Sequence, residues 1–521
     1  MNPTETITPL QWADLATLAP ELTLVIAAIL LSLIDLFLPK RINRDGLGAF
    51  SLIAVLISLG FVVWRMIDMS SGAESASAAQ ALHLLGQSYR VDDFANLLKI
   101  IFLSGTALII FMSLGSIREE EIPHKGEYYY LLLPAVLGAM MMASSGDLIT
   151  LYVGLELLSI TSYVLVALKK NDLKSNESAF KYVVLGSISS AFILYGMSFL
   201  YGMSGSTDLA TIAQMLSQHL ADFKVLIYVS FFLMLGGFGF KIAVAPFHVW
   251  APDVYQGAPT PVTAFLAVVS KAAGFAILFR IVYNVFFPLA SQEYMYISGD
   301  VMLTLLIVAA IAMVIGNTAA LRQRNVKRLL ALSGVANAGY LLVPIGLSMT
   351  PLHVSNFSEF AFYLIAYLFM NIGAFAVVMI VSRDAGHDEV SGFAGLYYRA
   401  PFTAVAMTIL LLSFAGIPLT GGFIGKLFIV LGAAQMKAYW IAAIMIITSV
   451  ISLYYYFGII RQMYMRSVGE MPSIRFPAPL GITVWICVAA TAYLGVMPNT
   501  VLDVINKFFA LSFDLFIRAG S

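Results

Sequence analysis

Gly236-Gly237-Phe238-Gly239-Phe240-Lys241-Ile242-Ala243-Val244-Ala245-Pro246 sets a lysine inside an apolar run, with a proline five residues after it. An ammonium group at membrane depth costs roughly 2.5–3.5 kcal/mol even on the mildest scale, so it marks a functional site unless it can snorkel to a helix end. Proline removes an amide donor and clashes with the preceding turn, and the glycines loosen the backbone further. The stretch reads as a membrane helix that is interrupted beside its charge.

Outward from this stretch, the 521 residues are 60% hydrophobic and 11% charged, well outside the range of soluble globular domains. A formal net charge of zero gives no electrostatic sign of nucleic acid. The single cysteine, Cys487, forms no intrachain disulfide and says nothing about redox compartment. No Lys or Arg lies between Met1 and Pro20, so a cleavable signal peptide is not expected and the first helix is read as retained. Runs of about 20 apolar residues span a bilayer. Fourteen are expected, near 17–38, 48–69, 93–114, 127–144, 147–168, 179–203, 224–250, 260–285, 300–320, 327–349, 357–382, 402–435, 439–462 and 476–496. The predicted class is an all-α polytopic membrane protein. The tail from Thr500 to Ser521 reads as an interfacial amphipathic helix, and 204–222 as a short surface helix.

Basic residues gather in the odd-numbered loops: Lys40, Arg41 and Arg44; Lys169, Lys170 and Lys174; Arg322, Arg324, Lys327 and Arg328; Arg461, Arg466 and Arg475. The even loops carry acids instead, Glu74, Asp147, Asp208, Glu293 and Asp300. The positive-inside rule then puts the odd loops in the cytoplasm and both termini outside.

An internal repeat is visible. Gly236-Gly237-Phe238-Gly239-Phe240-Lys241 in the seventh span resembles Gly421-Gly422-Phe423-Ile424-Gly425-Lys426 in the twelfth. An odd separation of five spans makes such a repeat inverted, and interrupted helices in two inverted halves point to a transport site. Pro246 follows its lysine, whereas Pro418 precedes Lys426. Glycine-rich runs also recur by chance in membrane helices, and the shared lysine weighs against that.

Lys271 lies in the middle of the eighth span, and like Lys241 it is too central to reach the interface easily. Glu156 lies midway between Asp147 and Lys169, too deep for solvent, so it must be paired or protonated. Burial lowers a lysine pKa and a nearby carboxylate raises it again, which makes a movable pair a switchable proton carrier. Lys181, four residues after Glu177, is as consistent with an ordinary helical ion pair as with function. His248 is a proton relay or a cap of the broken helix. Lys99 has no obvious partner and leans to a structural or lipid-facing role. Asp35 reads as an interface residue near Lys40, and Tyr128 to Tyr130 and Tyr454 to Tyr456 as belts or packing. No Walker-type loop or dinucleotide fingerprint occurs, and no two of the six histidines stand at i, i+4. The energy must come from a gradient or from partner subunits.

Pro246-Phe247-His248-Val249-Trp250-Ala251-Pro252-Asp253-Val254-Tyr255-Gln256-Gly257-Ala258-Pro259-Thr260-Pro261-Val262 closely resembles the broken seventh helix of the subunit N family of respiratory complex I, the proton-translocating NADH–quinone oxidoreductase. Leu155-Glu156-Leu157, Lys181-Tyr182, Asn325-Val326-Lys327-Arg328-Leu329-Leu330 and Ala415-Gly416-Ile417-Pro418 leading to Phe423-Ile424-Gly425-Lys426 carry the same likeness. The Asp-Val-Tyr-Gln-Gly-Ala-Pro run looks like subunit N rather than its sisters L and M or the multisubunit sodium/proton antiporters; the last remain the alternative. The resemblance implies fourteen spans: 1–126 with three helices, two inverted five-helix repeats at 127–285 and 300–470, and 471–521 with the last helix and tail. Spans seven and twelve are then broken at Pro246 and at Gly416 and Pro418. The chain ends too soon for the long lateral helix of subunit L. The resemblance also implies a proton relay of Glu156 with Lys241, supported by Lys181 and His248, then Lys271, then Lys426 as terminal site. It implies no redox cofactor or metal in this chain. FMN, iron–sulfur clusters and quinone are expected in partner subunits. Implied partners are subunit M, small membrane subunits including K, the lipid bilayer and protons, in a bacterial cytoplasmic membrane.

Overall fold

The computed structural model describes residues 12–39, 42–72, 82–85, 87–118, 121–289, 296–347, 355–465 and 473–509. Spans 1 to 7 are Ala19–Phe37, Asp45–Gly72, Asp93–Ser113, Lys125–Ala143, Leu148–Val166, Leu173–Ser204 and Leu220–Ile242. Spans 8 to 11 are Thr260–Phe286, Tyr296–Ala320, Val326–Gly346 and Ser355–Ala385. Span 12 consists of Pro401–Ala415 and Gly421–Gln435, and spans 13 and 14 are Tyr439–Met465 and Ala478–Val496. Among the described residues, twelve helices are long and apolar enough to cross a membrane. The remaining two segments are span 4, whose start is polar, and span 12, split into two helices of 15 residues each. Span 6 begins at Leu173 rather than 179, because Asp172 caps it by accepting from the Lys174 amide. Asp92, Asp147, Asp208 and Asn325 cap their helices in the same way.

Two sets of contacts repeat. A Cβ on Gly138 of span 4 would lie 2.6 Å from the Leu158 nitrogen and 2.8 Å from the Gly154 oxygen of span 5. A Cβ on Gly316 of span 9 would lie 2.6 Å from the Ala336 nitrogen and 2.8 Å from the Leu332 oxygen of span 10. Each residue of the second set stands 178 positions (316 less 138) after its counterpart. The same shift carries Asp147 onto Asn325. Asp147 forms an antiparallel bridge with Asp208 beyond span 6, and Asn325 forms one with Glu389 beyond span 11. Five spans, an odd number, separate the two bridges, so they close opposite ends of the bundle. Two five-helix units of inverted orientation follow.

The hexapeptide match does not coincide with this correspondence. The chain leaves the helix at Ala243 in span 7 and at Gly416 in span 12, so Lys241 lies before its break and Lys426 after. Spans 1 to 3 pack on the first unit and carry a hairpin, Leu82–Leu84 with Tyr89–Val91, that the sequence pattern did not suggest. A short helix, Leu209–Gln218, occupies the expected surface stretch, and Pro498–Phe509 begins the amphipathic tail. Residues 510–521, Lys40, Arg41, Glu74, Glu293, His353 and Arg466 lie outside the described residues. Asp35 pairs with Arg44 at 2.9 Å.

Candidate functional site

Glycines and a left-handed turn open span 7. Ala243 takes φ +56°, the Val244 amide reaches back to the Gly239 carbonyl at 2.9 Å, and the Phe240 carbonyl accepts from both the Ala243 amide and Trp250 Nε1, each at 3.0 Å. Pro246 follows, and the chain resumes as a short helix at Trp250–Gly257. Span 12 opens alike: Gly416 takes φ +77°, a value suited to glycine, and the Ile417 amide reaches the Leu412 carbonyl at 3.0 Å. Pro418 lies in the gap before Thr420, which caps the second half.

Each break carries a buried lysine. Lys241 is 6% exposed and donates to Ser159 Oγ at 3.0 Å. Lys426 is 7% exposed, donates to the Phe414 carbonyl at 2.8 Å and stands 4.6 Å from the Tyr340 ring centroid. Between them, Lys271 is 2% exposed and follows a π-turn, Leu266–Ser270. It donates to the Gly334 carbonyl at 2.7 Å and to the Tyr367 hydroxyl at 3.3 Å. A Cβ at residue 334 would come 3.0 Å from the Lys271 ammonium, so a glycine there leaves it room.

Glu156, half-buried, accepts from Ser190 Oγ. Among the described residues it forms no ion pair with Lys241 within 4.0 Å; the two bind separate hydroxyls, and Ser159 is one turn along span 5 from Glu156. Lys181 does pair with Glu177, at 2.6 Å, and also with Asp253 at 2.7 Å. Asp253 in turn binds Arg328 at 2.5 Å, and Arg328 donates to Gln256 Oε1 at 3.0 Å. Lys327 donates to the Ala258 carbonyl at 2.8 Å and faces Asp388 at 3.6 Å. Two separate motifs, 253–258 and 325–330, are thus one charged clasp between the repeats. Burial works to raise the Asp253 carboxyl, but the hydrogen bonds from Lys181 and Arg328 outweigh it and hold it below the ordinary range. His248 is half-buried beside the break, and none of its side-chain hydrogen bonds reaches the lysines.

The sequence reading missed a hydroxyl and amide network between Lys271 and Lys426. Tyr363 donates to Asn337 Oδ1 at 2.5 Å, Asn337 donates to Ser333, and Ser333 binds the Tyr456 hydroxyl. Tyr455 donates to Asn317 Oδ1 at 2.8 Å. Of the belt or packing roles expected for these tyrosines, Tyr455 and Tyr456, 5% and 1% exposed, take packing, and Tyr454, 74% exposed, fits a belt. Tyr128 and Tyr129 are fully buried packing residues. Lys99 is 0% exposed, which excludes a lipid-facing role; it pairs with Glu21 at 2.9 Å.

Broken spans with buried lysines define a polytopic ion-translocating membrane protein. Residues 145–452 match the family described as NADH:quinone oxidoreductase/Mrp antiporter, TM. A curated relative from Paenibacillus sp. (strain JDR-2), NADH-quinone oxidoreductase subunit N, is 58% identical over 98% of this chain and 99% of its own length. A chain of respiratory complex I from Thermus thermophilus with bound aureothin superposes with a TM-score of 0.76 at 29% identity, covering 94% of this chain and 100% of that one. A chain of the Mrp complex from Dietzia sp. DQ12-45-1b shares the fold, with a TM-score of 0.79 at 20% identity, covering 97% of this chain and 98% of that one. The chain belongs to the NADH:quinone oxidoreductase/Mrp antiporter family, in its subunit N branch. It is a multi-pass membrane subunit of a proton-translocating NADH–quinone oxidoreductase.

Proposed function

We propose that Lys241, Lys271 and Lys426 carry protons in that order, with Glu156 as the movable partner of Lys241. One observation carries this reading. Among the described residues, the buried Lys99 and Lys327 are ion-paired, whereas these three have no carboxylate within 4.0 Å and are held by neutral hydroxyls, carbonyls and aromatic rings. A structural ammonium keeps a fixed counter-ion; one that must give up its proton does better without it. Glu156 and Lys241 each hold a separate hydroxyl, which supports two states: apart, as here, and paired. Quinone reduction elsewhere in the complex supplies the signal that switches between them. Lys181 fastens the clasp around Asp253, a supporting part, and His248 lies near enough to the break to serve at entry.

In this reading the face with loops 5, 7, 9 and 11 is cytoplasmic and both termini are outside, in a bacterial plasma membrane. The units run 1–126, 127–285, 300–470 and 471–521. Subunit M and small subunits including K flank the chain, and FMN, iron–sulfur clusters and quinone belong to other subunits. The test is Lys241→Ala or Glu156→Ala in the assembled complex in liposomes. NADH-driven acidification falls while the complex stays intact. Unchanged pumping with either variant sinks the relay, and sodium-dependent exchange without NADH moves the chain to the antiporters.

A further inference from the structure

We propose that Glu359 is the group through which this subunit releases protons, receiving them from Lys426 and passing them to the face bearing loops 10 and 12. The proposal rests on the lysine relay above. Glu359 stands near the start of span 11 and is 8% exposed, and its Oε2 has no hydrogen-bond partner among the described residues. Unlike Glu21, Asp92 and Asp388, it has no cation within 4.0 Å among the described residues. A buried carboxyl without a counter-ion is costly in its charged form, so a purely structural role leaves it unexplained.

Its surroundings give it a route. Glu359, Tyr363, Tyr367 and Asn371 recur every four residues, which places them on one face of span 11. Tyr367 touches Lys271, and Tyr363 belongs to the network around Asn337. The second half of span 12 lies against this face through glycines. A Cβ on Gly425 would lie 2.5 Å from Tyr363 Cδ2, and one on Gly432 would overlap Glu359 Oε2. Lys426 directly follows Gly425, so Tyr363 stands beside its turn. Glu359 stands about 9 Å further along the helix pair, at six residues' rise. Ser358, next to it, binds Asn506 of the tail helix at 2.5 Å, which places Glu359 near the end of the bundle. In the transfer, the Lys426 ammonium loses a proton, the Glu359 carboxylate becomes a carboxylic acid, and that acid then ionises toward solvent.

The test uses the whole complex in liposomes, with NADH oxidation and acidification read together. Glu359→Gln keeps shape and polarity, so NADH oxidation persists while acidification per NADH falls as far as in Lys426→Ala. Glu359→Asp restores it. An infrared carboxyl band that changes on adding NADH disappears in the Gln variant. Full acidification in Glu359→Gln alongside a loss in Lys426→Ala overturns the release role and leaves the relay standing. Full acidification in both overturns the relay itself. If Glu359→Gln does not assemble, Tyr363→Phe removes the hydroxyl on the same route, and wild-type acidification there overturns the proposal.

Discussion

Lys99 offers the sharpest contrast between a structural lysine and the three proposed to carry protons. Its ammonium lies 2.9 Å from Glu21 Oε1 and 2.9 Å from the Tyr89 hydroxyl, and that hydroxyl donates to Glu21 at 2.7 Å. At an effective dielectric near 20, unit charges at the 2.9 Å separation attract by about 6 kcal/mol. Each ion gave up several kcal/mol of hydration on burial, so the intact pair is close to neutral for stability. Removing one partner strands the other, at a cost of about 3–5 kcal/mol, or two to four orders of magnitude in the folded fraction. Lys99→Met and Glu21→Gln should each lower the unfolding temperature of the detergent-solubilised complex and thin its native-gel band. Gln keeps an acceptor for Tyr89, so the double variant should recover most of the loss, which a double-mutant cycle measures. Acidification per NADH in the double variant should match the parent. A stable Lys99→Met, or an assembled double variant that has lost pumping, refutes the structural reading.

Gly138→Ala and Gly316→Ala each push a methyl group against backbone in the neighbouring span, and each should cost about 1–3 kcal/mol in thermal unfolding. Gly202→Ala meets nothing within 4 Å and should be neutral or slightly stabilising. Asp388 is raised by burial but lowered more by Lys327, Ser382 and Lys169. A carboxyl lowered in the folded state contributes fully above its ordinary value of 3.8, and that contribution fades as pH falls through the lowered value. Stability should hold down to about pH 3.8 and drop between there and the lowered value, and Asp388→Asn should remove this part of the drop, read by acid titration of the unfolding temperature.

Hydropathy made the spans legible because twelve of them are long apolar runs, and burial cost made the lysines legible because they lie in the middle of such runs. Position along the sequence offered the Lys181–Glu177 pair, four residues apart, but could not show the distant ones. Glu21 is 78 residues from Lys99, and Asp253 is 72 from Lys181, so only the fold brings them together. Ser159, Ser190, Asn337 and Tyr363 were also hidden, since a serine or tyrosine in a membrane helix is ordinary until its partner is seen. The repeat was found through the wrong six residues. Its true marks are close-packed glycines and capping residues, whose meaning is geometric: Gly138 and Gly316 share no neighbouring motif, yet meet the same backbone atoms.

The two breaks hold their lysines differently. In span 7 the helix ends just after Lys241, so its lysine hangs on the outgoing turn and faces Ser159 and Glu156 of span 5. In span 12 the helix ends at Ala415 and Lys426 reaches back to the carbonyl of Phe414, on the half before the gap. A helix C-terminus presents free carbonyls, which suit an ammonium and offer it no counter-charge. Carrying Glu156 across by the 178-position shift of spans 4 and 5 lands on Gly334, whose carbonyl holds Lys271. The second unit thus replaces the first unit's carboxylate with a backbone oxygen. In the relay proposed above, Glu156 with Lys241 is then the switch, and Lys271 and Lys426 respond to it.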